Sequence, residues 1–216
     1  MKYGGDEAMK YIVTALLTFI STASVSAITQ TDGNGTAAIK TNDGFVIVWN
    51  QADIHFTLAL KGKDVRPMGS PGTGSVAFNV DGVVFQLQTV AISEFLKNVK
   101  KQKLSDQAIL IAHLDWETQY LEQTAGTKLN VTTAPQQLSS GSQALIWKYD
   151  RPKTRGSEQM YLTMVSGSSV VILNGVVSER NPASAVQQLL LNTISTLKVS
   201  ARPIDVMKLR ESMLHP

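Results

Sequence analysis

Hydrophobic positions recur along this chain at two spacings, and each predicts its own kind of element. Strict alternation is clearest where Ile54, Phe56, Leu58 and Leu60 take one side and His55, Thr57, Ala59 and Lys61 the other, the pattern of a strand with one face in a core. Phe45 to Trp49, Val76 to Val80 and Val83 to Leu87 are rich in strand formers. Asp81-Gly82 between the last two predicts a tight hairpin, because both central residues of such a turn take positive φ. Ala144 to Tyr149, Gln159 to Val165 and Ser169 to Val177 are three further runs, joined by the basic turn Asp150 to Gly156 and by Ser166-Gly167-Ser168. Short turns between consecutive strands predict antiparallel pairing.

The second spacing is helical. Ser93 is placed to cap a short helix from Glu94 to Lys101, and Ser105 to cap the longest one. On the long helix Ile109, Ala112, His113, Trp116 and Tyr120 follow at helical intervals, and Gly126 stands where a C-terminal stop belongs. Asn181-Pro182 supplies a cap and a first-turn proline for a closing helix whose buried stripe is Val186, Leu189, Leu190, Ile194 and Leu197. These elements predict one α+β domain over residues 44–200, an antiparallel β-sheet covered by helices. Residues 201–216 form a tail broken by Pro203, in which Ile204, Met207, Leu209 and Leu214 offer one more docked turn.

From Ala144 to Ser200 the order is three strands and a helix closing on Ile194-Ser195-Thr196-Leu197-Lys198-Val199-Ser200. In that order the chain resembles the carboxy half of the PsbP-like α/β/α sandwich superfamily. The resemblance implies an α/β/α sandwich and a non-catalytic accessory or binding module. It carries no functional residue over, because that superfamily has no common active site.

The first 27 residues follow a different logic. Lys10 precedes the apolar run Tyr11 to Ile20, and a stretch of small and polar residues leads to Val25-Ser26-Ala27, the three parts of a cleavable secretory signal. The run is about half the ~20 residues that a membrane anchor needs. Cleavage is predicted between Ala27 and Ile28, leaving a chain the size of one domain. Asp6 and Glu7 put negative charge where a signal wants positive charge, so Met9 is the expected start. The preceding Gly4-Gly5-Asp6-Glu7 reads as a translated bacterial ribosome-binding site. Residues 28–43, rich in Thr, Gly, Asn and Ala, read as a flexible leader. The expected location is therefore periplasmic or secreted, with no stable membrane anchor.

Composition narrows the chemistry. No cysteine is present, which removes disulfides, thiolate metal sites and cysteine nucleophiles, and the net charge of +3 is spread along the chain, which argues against nucleic acid as a partner. The elbow Gly-x-Ser-x-Gly is absent. The glycine-rich Gly69 to Gly74 lacks the Lys-Ser/Thr and the following helix of a phosphate loop. No cofactor, catalytic residue or metal ligand is assigned.

Three binding candidates remain. His113 has Trp116 and Glu117 on the same helical face, so a carboxylate-held imidazole is one reading and a packed core histidine the favoured one. The groove beside Trp116 and Tyr120 is a second candidate, with tryptophan as an apolar wall. The turn holding Arg151, Lys153 and Arg155, with the loop from Met68 to Gly74, is the third, suited to an unknown protein partner or an anionic ligand outside the cytoplasm. The lysines at 97, 100, 101 and 103 read instead as a solvated helix end. An exported binding or accessory module is thus favoured, and the alternative is a hydrolase or metal-dependent enzyme built from His55, His113 and nearby carboxylates.

Overall fold

The computed structural model describes residues 35–51, 54–68, 75–97, 104–152 and 156–214. Two antiparallel sheets stack face to face. The smaller has the order β1-β2-β3-β11, from Thr36–Thr41, Gly44–Gln51, Ile54–Lys61 and Lys198–Ser200. The larger has the order β4-β5-β6-β10-β9-β8-β7, from Val65–Pro67, Ser75–Val80, Val83–Ala91, Ser169–Val177, Glu158–Ser166, Gln143–Asp150 and Val131–Gln137. Helices α1 (Ile92–Phe95) and α2 (Asp106–Ala125) lie on the outer face of the larger sheet. Helix α3 (Ala183–Ile194) packs on its inner face beside the smaller sheet, and α4 (Val206–Leu214) covers the outside of the smaller sheet. This is an α+β fold in which the seven-stranded sheet is sandwiched between helices, with four more strands added to one side.

Alternation decides which residues enter which layer. In β3 the even-numbered Ile54, Phe56, Leu58 and Leu60 are buried and their neighbours are not, as the sequence pattern requires. They meet Phe45, Ile47 and Trp49 of β2, Phe78 and Phe85 of the larger sheet, and Val186, Leu190 and Ile194 of α3 in one core. Phe45 and Phe78 join the two sheets directly, ring centroids 5.3 Å apart, and Trp49 stacks on Phe56 at 5.7 Å. In β8 to β10 both faces are buried. Ala144, Ile146, Met160, Leu162, Val171 and Leu173 face this core, and Leu145, Trp147, Tyr161, Val170 and Ile172 face α2.

The local signals hold. Asp81 (φ 50) and Gly82 (φ 90) make the β5–β6 hairpin, and the Asp81 carboxylate also accepts from the amides of Lys63 and Asp64. Ser105 caps α2 by accepting from the Ala108 amide, and Gly126 ends it in the left-handed region.

Other expectations are corrected. Part of the presumed flexible leader is a strand. Thr36 to Thr41 pair with Trp49 to Gly44, and Ala37, Ala38 and Ile39 are buried; Ala37 and Ile39 lie beneath α4, and Ala38 faces the core between the sheets. Residues 28–34 lie outside the described residues, as does the predicted signal with Ala27 and Ile28. The short helix runs Ile92–Phe95, earlier than the expected Glu94 start, and has no side-chain cap. Pro182 occupies the N-cap of α3. Asn181 instead donates to the Gly82 carbonyl and ties the helix start to the hairpin. The closing helix stops at Ile194, and Lys198–Ser200 returns as a strand on β3. The tail is docked, because the buried Asn50 side chain donates to the Ile204 carbonyl at 2.9 Å and accepts from its amide at 2.8 Å. The segment through Pro135, which the sequence pattern does not assign to a strand, is the outer strand β7, whose edge position suits a residue without an amide hydrogen.

Candidate functional site

Helix α2 positions every candidate on this side of the molecule. Its inward face is centred on Leu110, His113, Leu114 and Glu117, all buried against β8 and β9. His113 is fully buried. The ring of Phe95 from α1 stands edge-on to it with centroids 5.4 Å apart, and Trp116 lies at 6.1 Å. Neither ring nitrogen has a hydrogen-bond partner, so the carboxylate-held imidazole, the less favoured of the two readings, is not formed. Burial lowers the His113 pKa from 6.5 to about 4 and raises that of Glu117 from 4.5 to about 7.

Beneath this pair the sheet presents aromatic rings. Tyr161 stacks on Trp147 with centroids 3.9 Å apart and planes nearly parallel, and interacts through its hydroxyl with Tyr149. Burial pushes both phenols up, and Arg151 just beyond β8 opposes that rise. The floor is thus apolar and aromatic with few polar atoms.

His55 and His113 do not converge. His55 alternates with the core residues of β3, so it faces outward from the smaller sheet beside Asn50 and Ser200, its paired residues on β2 and β11. His113 faces the outer side of the larger sheet, and both sheets lie between them. Among the described residues no three acidic or histidine side chains cluster as a metal site. Arg151 is half-buried, its amide donating to the Ser157 carbonyl; Lys153, Arg155 and the loop 69–74 lie outside the described residues, as do the lysines at 100, 101 and 103.

The groove expected beside Trp116 and Tyr120 is on the other flank of the helix. Trp116 is packed against Phe95 and His113. An open cleft of about 660 Å³ runs instead between α2 and β7, lined by Leu114, Thr118 and Glu122 on the helix and by Leu129, Val131 and Thr133 opposite. Residues two apart on a helix point roughly 160° away from one another. Thr118 therefore faces the cleft when Trp116 faces α1. The Thr118 hydroxyl oxygen is buried and without a partner. Glu122 closes one end, paired with Lys128 and accepting from the Leu129 amide at 3.1 Å, and these bonds hold its carboxyl below the ordinary value. The signal for this cleft was the β-branched run Val131-Thr132-Thr133 just before Pro135.

No protein-family model matches the chain, and no curated protein matches it. Among solved structures, cyanobacterial PsbP (CyanoP) from Synechocystis sp. PCC 6803 is similar over 82% of this chain and 98% of its own, at 10% identity and a TM-score of 0.41. A protein of Bacteroides thetaiotaomicron VPI-5482 is similar over 67% of this chain, at 11% identity and a TM-score of 0.32, and the match spans only 45% of its length.

Proposed function

We propose that this chain is an exported, non-catalytic binding module that takes a segment of a partner protein into the cleft between α2 and β7. The observation that carries the reading is the cleft itself. Its lining mixes the apolar Leu114, Leu129 and Val131 with the polar Asp115, Gln119, Glu122, Lys128 and Asn130, beside the outer strand of a seven-stranded sheet. Such a mixture suits recognition of a peptide carrying both apolar and polar side chains, and a sheet edge offers backbone groups to an extended segment. Catalysis from His55 and His113 is disfavoured because they face opposite sides of the stacked sheets. No helix among the described residues is long and apolar enough to cross a membrane.

The test has two arms. Wild-type protein and a Thr118→Arg variant, which fills the cleft, are used to capture partners from an extracytoplasmic extract. Capture by the wild type that is lost in Thr118→Arg supports the reading. Capture that survives Thr118→Arg but is lost when Arg151, Lys153 and Arg155 are changed to Ala, and weakens with salt, transfers the role to the basic turn. Mass spectrometry of the protein from its host tests export, with Ile28 as the expected first residue.

A further inference from the structure

Two ionisable side chains buried one turn apart, with both ring nitrogens of the histidine lacking a hydrogen-bond partner, need a physical reason. His113 and Glu117 are 0% and 4% exposed and lie at i and i+4 on the inward face of α2. Groups of this kind are almost never buried unless paired. Their surroundings are close to uniform. Phe95 and Trp116 pack on His113, with Glu94 of α1 exposed. β8 contributes Trp147 and Tyr149, β9 contributes Tyr161, and β6 and β10 contribute Val90, Val170 and Ile172. Among the described residues, and apart from the two themselves, the titratable or charged groups acting on this layer are Tyr149, Tyr161 and Arg151.

We propose that His113 and Glu117 are a compensating pair that makes the docking of α2 on the sheet nearly independent of pH. Burial opposes the charged form of both, but one is a base and the other an acid, so equal burial gives opposite proton linkage. Glu117 is raised to about 7 from 4.5, so its favourable share is full below 4.5 and is lost as pH rises towards 7. His113 is lowered to about 4 from 6.5, so its favourable share is full above 6.5 and is lost as pH falls towards 4. Either alone changes the unfolding constant by about two orders of magnitude between pH 4 and pH 8, in opposite senses, so together they largely cancel. A binding module outside the cytoplasm, where no cell buffers the pH, keeps the helix that forms its cleft in place by this means; that benefit rests on the proposed function, and the compensation itself does not.

The experiment measures urea unfolding of the full chain from pH 4 to pH 8 for wild type, Glu117→Gln, His113→Phe and the double variant. The readout is the ratio of the wild-type unfolding constant to that of each variant, in which all other titrating groups cancel. The ratio to Glu117→Gln is expected to rise by about two orders of magnitude with pH, the ratio to His113→Phe to fall by about as much, and the ratio to the double variant to stay within about tenfold. Single-variant ratios that stay within tenfold, or that move in the same direction, overturn the proposal. If a variant does not fold, NMR titration of the wild type decides. His113 neutral and Glu117 protonated at pH 5.5 sustain the pair, and a His113 imidazolium or an ionised Glu117 at that pH refutes it. Partner capture by Thr118→Arg is a separate measurement, so failure of the cleft and failure of the pair are distinguishable.

Discussion

At Gly175 of β10 the side chain of Val186 on α3 packs close against the backbone of the seven-stranded sheet, and replacing the glycine with alanine tests that packing. A Cβ placed there would lie 2.8 Å from Cγ1 of Val186 and 3.4 Å from Cγ1 of Val83. The backbone at Gly175 is not in the left-handed region, so alanine is conformationally free to sit there and would on its own stabilise by about 0.4–1 kcal/mol through the unfolded chain. The contact reverses that sign. Val186 is fully buried and its χ1 is stiff, so the helix or the strand must shift, at about 1–3 kcal/mol. Val186→Ala alone removes two buried methyl groups and should cost about 2 kcal/mol. In the double variant the new methyl occupies part of the space that Cγ1 leaves, so the loss should fall below the sum of the single losses by about 1–2 kcal/mol. Urea unfolding of the four proteins in a double-mutant cycle reads this directly. Additivity within about 0.5 kcal/mol would mean that the two residues do not share this space, and the described approach of α3 to the sheet would be wrong.

Two further perturbations address the edges of the smaller sheet. Gly44 has φ +150, and a Cβ there would lie 1.9 Å from the Leu60 carbonyl oxygen, a backbone atom that cannot turn aside; Gly44→Ala should lose more than about 4 kcal/mol or fail to fold, as read by circular dichroism and thermal unfolding. Asn50→Ala removes both hydrogen bonds to Ile204, together worth about 2 kcal/mol, so amide exchange should show residues 204–214 opening ~30-fold more often while β10 is unaffected.

What the sequence disclosed was local. The alternation of β3, the Asp81-Gly82 turn and the caps of α2 each depend on residues within a few positions of one another, and each is found where the spacing puts it. The division of the strands into two sheets was not legible, because Phe45 and Phe78 meet across more than thirty residues of chain and nothing in either run marks its partner. Strand β1 was hidden for a related reason. Thr36-Ala37-Ala38 has a linker's composition, and only its tertiary surroundings, Ile204, Val206 and Leu209 over Ala37 and the core between the sheets around Ala38, make small side chains the right ones.

Periodicity correctly put His113, Trp116 and Glu117 on neighbouring positions of one helix, yet it could not say what each would meet. A glutamate in such a stripe reads as the wet end of the face; here the rings of Trp147, Tyr149 and Tyr161 continue beneath it, so the apolar layer reaches one turn further along α2 than the hydrophobic residues alone indicate. That extension consumes the flank holding Trp116, whose indole is taken up by Phe95 and His113, and leaves the flank of Thr118 to face β7 across open space. Under the proposed function, binding on this side of the molecule falls to the flank that carries no aromatic residue. Tryptophan was the conspicuous signal in the sequence, and its very capacity to bury surface is what closes the groove it was expected to line.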